Sequence, residues 1–112
     1  MFYQNMPLYL QLLDLLKTEY SYVHNLDKEY KYSLGEDIIK ITWHLIDLFI
    51  EAQTNYQDKK LIVLEIAQQF DCLKLRIRFL TELKQISLQQ TTFVNGQLVN
   101  IGKMIGSWQK NV

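Results

Sequence analysis

The chain has 112 residues, 48% apolar and 21% charged, which excludes a disordered polymer and bounds it to one domain spanning residues 1–112. Twelve basic residues balance twelve acids, and one proline with four glycines favours long helices over many short strands. No apolar run approaches the length of about 20 residues that spans a bilayer. The start, MFYQNMPLYL, lacks a basic n-region and a cleavage site, so no secretory signal is expected. Cys72 is alone, which rules out an internal disulfide and predicts a small buried hydrophobe in a reducing, cytoplasmic compartment.

In chain order, the first predicted helix starts at Pro7, well placed at a first helical position, and runs to about Asn25. Its apolar face is Leu8, Leu12, Leu15, Leu16, Tyr20 and Val23. Asp27 to Tyr32 reads as a short connection. Ser33, with Glu36 three residues on, then predicts a capping box opening a second helix from Gly35 to Ala52.

That second helix carries two apolar seams. Ile38, Ile41, Leu45, Leu48 and Ala52 form one; Ile39, Trp43, Ile46 and Ile50 form the other. Together they span about 220° of the helix, where a core-facing stripe needs little more than about 100°. The expectation is burial on two sides, with Ile39, Trp43, Ile46 and Ile50 meeting another subunit. Gln53 to Asp58 is the next break.

The third helix is predicted over Lys59–Leu83, with Ile66, Phe70, Leu73, Ile77 and Leu80 at spacings of four, three, four and three. Ser87 and Gln90 form a second predicted capping box, and Val94, Leu98, Ile101, Ile105 and Trp108 continue the pattern in a fourth helix. The 3.5-residue period and short connections predict an all-α, antiparallel, left-handed up-down four-helix bundle. Ile41, Leu45, Phe70, Leu73, Ile77, Leu98, Ile101 and Ile105 form its expected core.

Enzymatic chemistry finds no constellation here. His24 and His44 share no ligand spacing with each other or with Cys72, so no metal site is predicted. Neither histidine has the glutamate three residues before it that a di-iron bundle requires. There is no phosphate-cradling glycine loop and no paired nucleophile, so no cofactor and no catalytic residue are expected.

Binding features are more visible. Residues 1–58 hold four basic residues against nine acids, and residues 59–112 hold eight against three, so the second half is a candidate basic surface. Lys74 and Arg78 lie four apart beside the seam of the third helix. Arg76 falls within an apolar arc, where an arginine requires a carboxylate or a wet boundary, and so it is expected to mark an interface. Four tyrosines from Tyr20 to Tyr32 with Lys28 and Lys31 either brace the end of the bundle or stack on unpaired bases. The fourth helix is charge-free up to Gly102, a neutral polar face suited to a protein contact. Gly102 and Gly106 beside its seam either permit close backbone approach or loosen the helix end.

Several stretches taken together resemble a known family. They are Leu8-Tyr9 through Leu16, Lys28-Glu29-Tyr30-Lys31-Tyr32-Ser33-Leu34-Gly35, Leu73-Lys74 with Arg78, Ile86-Ser87-Leu88 with Gln90, and Ile101 to Trp108. The KYSLG and IGKMIGSW segments are the most specific. The chain resembles the small four-helix-bundle family that includes the accessory variability determinant of diversity-generating retroelements and proteins encoded within intervening sequences of bacterial 23S ribosomal RNA genes.

The resemblance implies a homopentameric barrel of four-helix bundles. It also implies a non-enzymatic partner that binds the reverse transcriptase and template RNA and supports mutagenic complementary-DNA synthesis. Lys74, Arg78 and Lys103 match basic places of the family pattern, and Lys28 and Lys31 match its basic loop, which makes these five the expected RNA or reverse-transcriptase contacts. Ile39, Trp43, Ile46, Ile50 and Arg76 are the expected subunit interface. Two alternatives stand beside this reading: an oligomeric scaffold for a protein partner, which the neutral net charge allows, and a ribosomal intervening-sequence protein.

Overall fold

A computed structural model describes residues 2–112. Phe2–Asn5 form a 3-10 turn that leads into α1, Pro7–His24. A helical turn over Lys28–Tyr30 and a π-helical segment over Lys31–Gly35 run without a break into α2, Glu36–Thr54. Helices α3, Lys59–Glu82, and α4, Leu88–Lys110, complete the fold. No strand occurs among the described residues.

Each helix packs on its two neighbours in a closed order α1–α2–α3–α4, in a body of 43 × 24 × 23 Å. Thr81 meets Thr91 at 3.0 Å near one end, and the Phe70 ring faces Gly102 nearer the other, as two antiparallel helices require. The ends are pinned by side chains. Gln85 bonds both the Asp27 backbone and its carboxylate at 2.9 Å, tying the two loops at one end together. Tyr22 donates from the same end of α1 to the Gln90 carbonyl. At the opposite end Tyr3, Tyr9, Phe49 and Trp108 form a chain of ring contacts.

Seven of the eight expected core residues are buried; Ile41 is half-buried and packs against the rest. The Ser87–Gln90 capping box forms in full. The Ser33–Glu36 box does not. Helical backbone already begins at Lys28, and the Ser33 hydroxyl instead donates back to the Glu29 carbonyl at 2.7 Å. A capping serine acts only where extended chain enters a helix, and at Ser33 no such entry exists.

One of the residues expected at a subunit contact on α2 needs correction. Ile46 is buried within its own chain, so it cannot present a subunit surface, and Ile39 and Ile50 already pack partly on the chain's own core. Flanked by both α1 and α3, α2 buries Ile38, Leu45, Ile46, Leu48, Phe49 and Ala52 inside one bundle and leaves Ile39, Ile41 and Ile50 half-buried. Trp43 alone of that second seam stays exposed. Cys72 is exposed, not buried. Tyr20 points outward too, and the α1 core position that the 8, 12, 15 spacing leads to is taken by Glu19.

Candidate interaction surfaces

At the α1–α2 end, the KYSLG segment is the π-helical turn itself. One extra residue per turn there swings the chain so that Gly35 presses against α1. A Cβ on Gly35 would lie 2.8 Å from Val23 Cγ1 and 3.2 Å from Leu26 Cδ1, which is why this position holds no side chain. The segment's distinctiveness is therefore in part steric. Tyr22 and Tyr30 brace this end, whereas Tyr32 is exposed beside Lys31 in a shallow hollow with Tyr20, His24, Glu36 and Ile39. Lys28 is exposed on the helical turn just before the π-helical one.

Lys74 and Arg78 line a groove of about 550 Å³ between α3 and α4, floored by Phe70, Leu98 and Gly102 and walled by Thr81, Thr91 and Asn95. The absence of a side chain on Gly102 lets the Phe70 ring approach α4, while Gly106 faces open space. Lys74 sits 5.1 Å above the Phe70 ring and 3.1 Å from Asp71, and Arg78 bonds Glu82 at 3.3 Å. Both cations are thus directed along the groove edge by carboxylates of their own helix.

Lys103 lies elsewhere. With Lys59 it rims a separate apolar groove of about 570 Å³ at the open end of the bundle, lined by Met6, Pro7, Phe49, Met104 and Trp108. The five expected contact cations therefore occupy three places on one chain, and only Lys74 and Arg78 share a groove.

The outer side of α3 carries part of the apolar arc expected around Arg76, namely Cys72, Leu75 and Phe79, and runs beyond it to Leu64 and Leu61. Leu61, Leu64, Cys72, Leu75 and Phe79 are all exposed, and at 100° per residue they fall on one line opposite the buried Ile66, Phe70, Leu73 and Ile77. Leu61 and Leu75 are 66% and 63% exposed. The signal was present as spacings of three, eight, three and four, but the stronger inner seam masked its full length. Arg76 sits half-buried between seam and stripe, where its guanidinium donates to the Cys72 carbonyl at 3.1 Å; this is the wet boundary that an arginine in an apolar arc requires. On the neighbouring α2, the exposed Trp43 donates its indole N–H to the Tyr20 hydroxyl at 3.1 Å.

Among the described residues one acidic side chain lies inside. Glu19 is 3% exposed, its Oε2 stands 2.7 Å from Thr42 Oγ1, and its Oε1 has no partner. Burial pushes its carboxyl up to about 8, against a smaller lowering by the Thr42 bond. Among the described residues no three His, Cys, Asp or Glu side chains gather as a metal site would need, and no helix is long and apolar enough to cross a membrane.

A family model described as bAvd-like matches residues 8–112, nearly the whole chain. No curated protein matches it.

Proposed function

The chain belongs to the bAvd-like family, and from that premise we propose that it is a non-enzymatic accessory subunit of a diversity-generating retroelement. In this reading the bundle assembles into a pentameric scaffold that binds the reverse transcriptase and its template RNA and supports mutagenic complementary-DNA synthesis. The family match supports the accessory role. The observation that carries the binding reading is the α3–α4 groove, where Lys74 and Arg78 stand at the edge of an apolar floor. A cation pair over an aromatic floor suits a single strand, which offers phosphates and unstacked bases together. Repetition around an assembled ring gives a chain of zero net charge a local belt of positive potential.

A second reading, a scaffold for a protein partner with no nucleic-acid role, is favoured by one observation. Lys74 and Arg78 each already hold a carboxylate of their own helix, which lowers the gain from a phosphate.

The test uses the Lys74→Glu, Arg78→Glu double variant with a diversity-generating retroelement reverse transcriptase and its template RNA. Helicity and assembled mass should be unchanged. RNA affinity should fall, and its log–log dependence on salt should flatten by about 1.4 for each subunit engaged, at roughly 0.7 for every single-strand phosphate that is no longer neutralised. Partner capture that is insensitive to salt and survives the double substitution overturns the RNA reading in favour of the protein scaffold.

A further inference from the structure

We propose that the outer face of α3 is the contact surface for a second copy of this chain, and that it receives the outer face of α2, centred on Trp43. The inference rests on the self-assembly proposed above and identifies the two faces that make it.

Single exposed leucines are ordinary on a protein surface. A straight row of Leu61, Leu64, Leu75 and Phe79 along one helix, about 27 Å from end to end, is not. A contiguous apolar row of this length marks a surface suited to a partner.

Charge selects the cover. Helix α3 carries five basic residues against three acids, and α2 carries four acids against one lysine. Among the described residues the only ion pair joining these two helices within a chain is His44 with Glu65, which leaves Asp47 and Glu51 free to meet a neighbour's cations. Arg76, at the edge of the stripe, likewise has no carboxylate partner. At the centre of the α2 face, Trp43 has already satisfied its indole N–H on Tyr20, so its ring can be covered without an orphaned donor.

The arrangement also closes. Neighbouring helices of a four-helix bundle face outward roughly 90° apart. Two different faces at that angle, joined head to tail, generate a ring of about four or five subunits instead of a two-fold dimer. The joined α2 and α3 are antiparallel across the contact, as they are within the chain.

The experiment measures mass in solution for the full chain and two single-face variants, Leu75→Glu and Trp43→Glu. Both positions are exposed, so both variants should keep the helicity of the unsubstituted chain. Leu64→Glu replaces Leu75→Glu if that variant fails to fold. Each variant alone should run at the 13.4 kDa of one chain. Mixed at the highest soluble concentration they should pair, the intact α2 face of one on the intact α3 face of the other, and stop at twice that mass.

An assembled unsubstituted chain whose mass Leu75→Glu leaves unchanged overturns the inference and leaves the assembly reading standing. Loss of reverse-transcriptase capture by Leu75→Glu with assembly intact assigns the stripe to that partner and overturns it as well. A mixture that stays monomeric removes α2 as the receiving face. An unsubstituted chain that is monomeric at every concentration removes both readings.

Discussion

Glu19 stands at the place in α1 where the 8, 12, 15 spacing calls for an apolar residue, and its surroundings decide its protonation. Thr42 Oγ1 lies 2.7 Å from Glu19 Oε2 and 3.2 Å from the Ile38 carbonyl. The Thr42 hydroxyl donates its one hydrogen to Glu19 Oε2, shared at best with the longer contact to the Ile38 carbonyl, and Glu19 Oε1 has no partner, so burial outweighs this bond and favours the neutral carboxyl. No cation pairs with Glu19 among the described residues. Since the folded chain holds this proton up to about pH 8 and the unfolded chain releases it near 4.5, the folded state binds more protons between those values. Stability from this group is therefore complete below about pH 4.5 and is lost as pH rises through about 8. Glu19→Gln keeps the shape and removes the titration. Its advantage over the parent should grow between pH 4.5 and 8 to several kcal/mol, on the order of 3–5. Urea unfolding of both proteins at pH 5, 7 and 8.5 measures it; a difference independent of pH would mean that Glu19 is ionised and solvated in the fold.

Two serines at helix starts show what local pattern conveys about an element. Ser33-x-x-Glu36 and Ser87-x-x-Gln90 are the same signal, yet only Ser87 caps, because Ile86-Ser87 enters α4 from extended backbone while Ser33 lies within a helix begun at Lys28. The expected result is that Ser87→Ala costs about 1 kcal/mol, whereas Ser33→Ala stays within about 0.5 kcal/mol of the parent. Thermal denaturation of the two variants compares them directly; equal losses would refute the distinction. The periodic residues made the four helices, their order and most of the core legible, since burial at spacings of three and four survives any loop geometry. Three things were not legible. The π turn depends on how closely Gly35 can approach Val23 and Leu26, a tertiary fact. The width of the α2 apolar arc gave no indication that α1 and α3 would cover it together, so Ile46 was assigned outward although it is buried. The full length of the outer row of α3 is hidden because Gln68 interrupts it between Leu64 and Cys72, so that only the arc around Arg76 stands out. As for the candidate site, the pairing of Lys74 with Arg78 could be read from a spacing of four, but the separation of Lys28, Lys31 and Lys103 from them required the bundle.

At the scale of the whole molecule, the chain is neutral by cancellation: the half that contains α1 and α2 is acidic and the half that contains α3 and α4 is basic. Within a subunit the halves are joined chiefly by a buried apolar core, so most of these charges remain on the surface. In the assembly proposed above, an apolar row on α3 and a tryptophan on α2 would hold the contact closed, while the charges around them would guide the faces together before they touch. Rim charges of this kind act on association more than on dissociation. Asp47→Lys with Glu51→Lys, both exposed on α2, should therefore slow the reassembly of diluted subunits on the order of tenfold at low salt and leave the dissociation rate nearly unchanged. The difference should vanish at about 1 M salt, where the screening length shrinks to about 3 Å. Subunit exchange between donor- and acceptor-labelled populations gives both rates. A double variant that dissociates faster but associates at the parent's rate would place Asp47 and Glu51 inside a dry contact, in direct partnership with cations of the neighbouring α3, instead of at its rim.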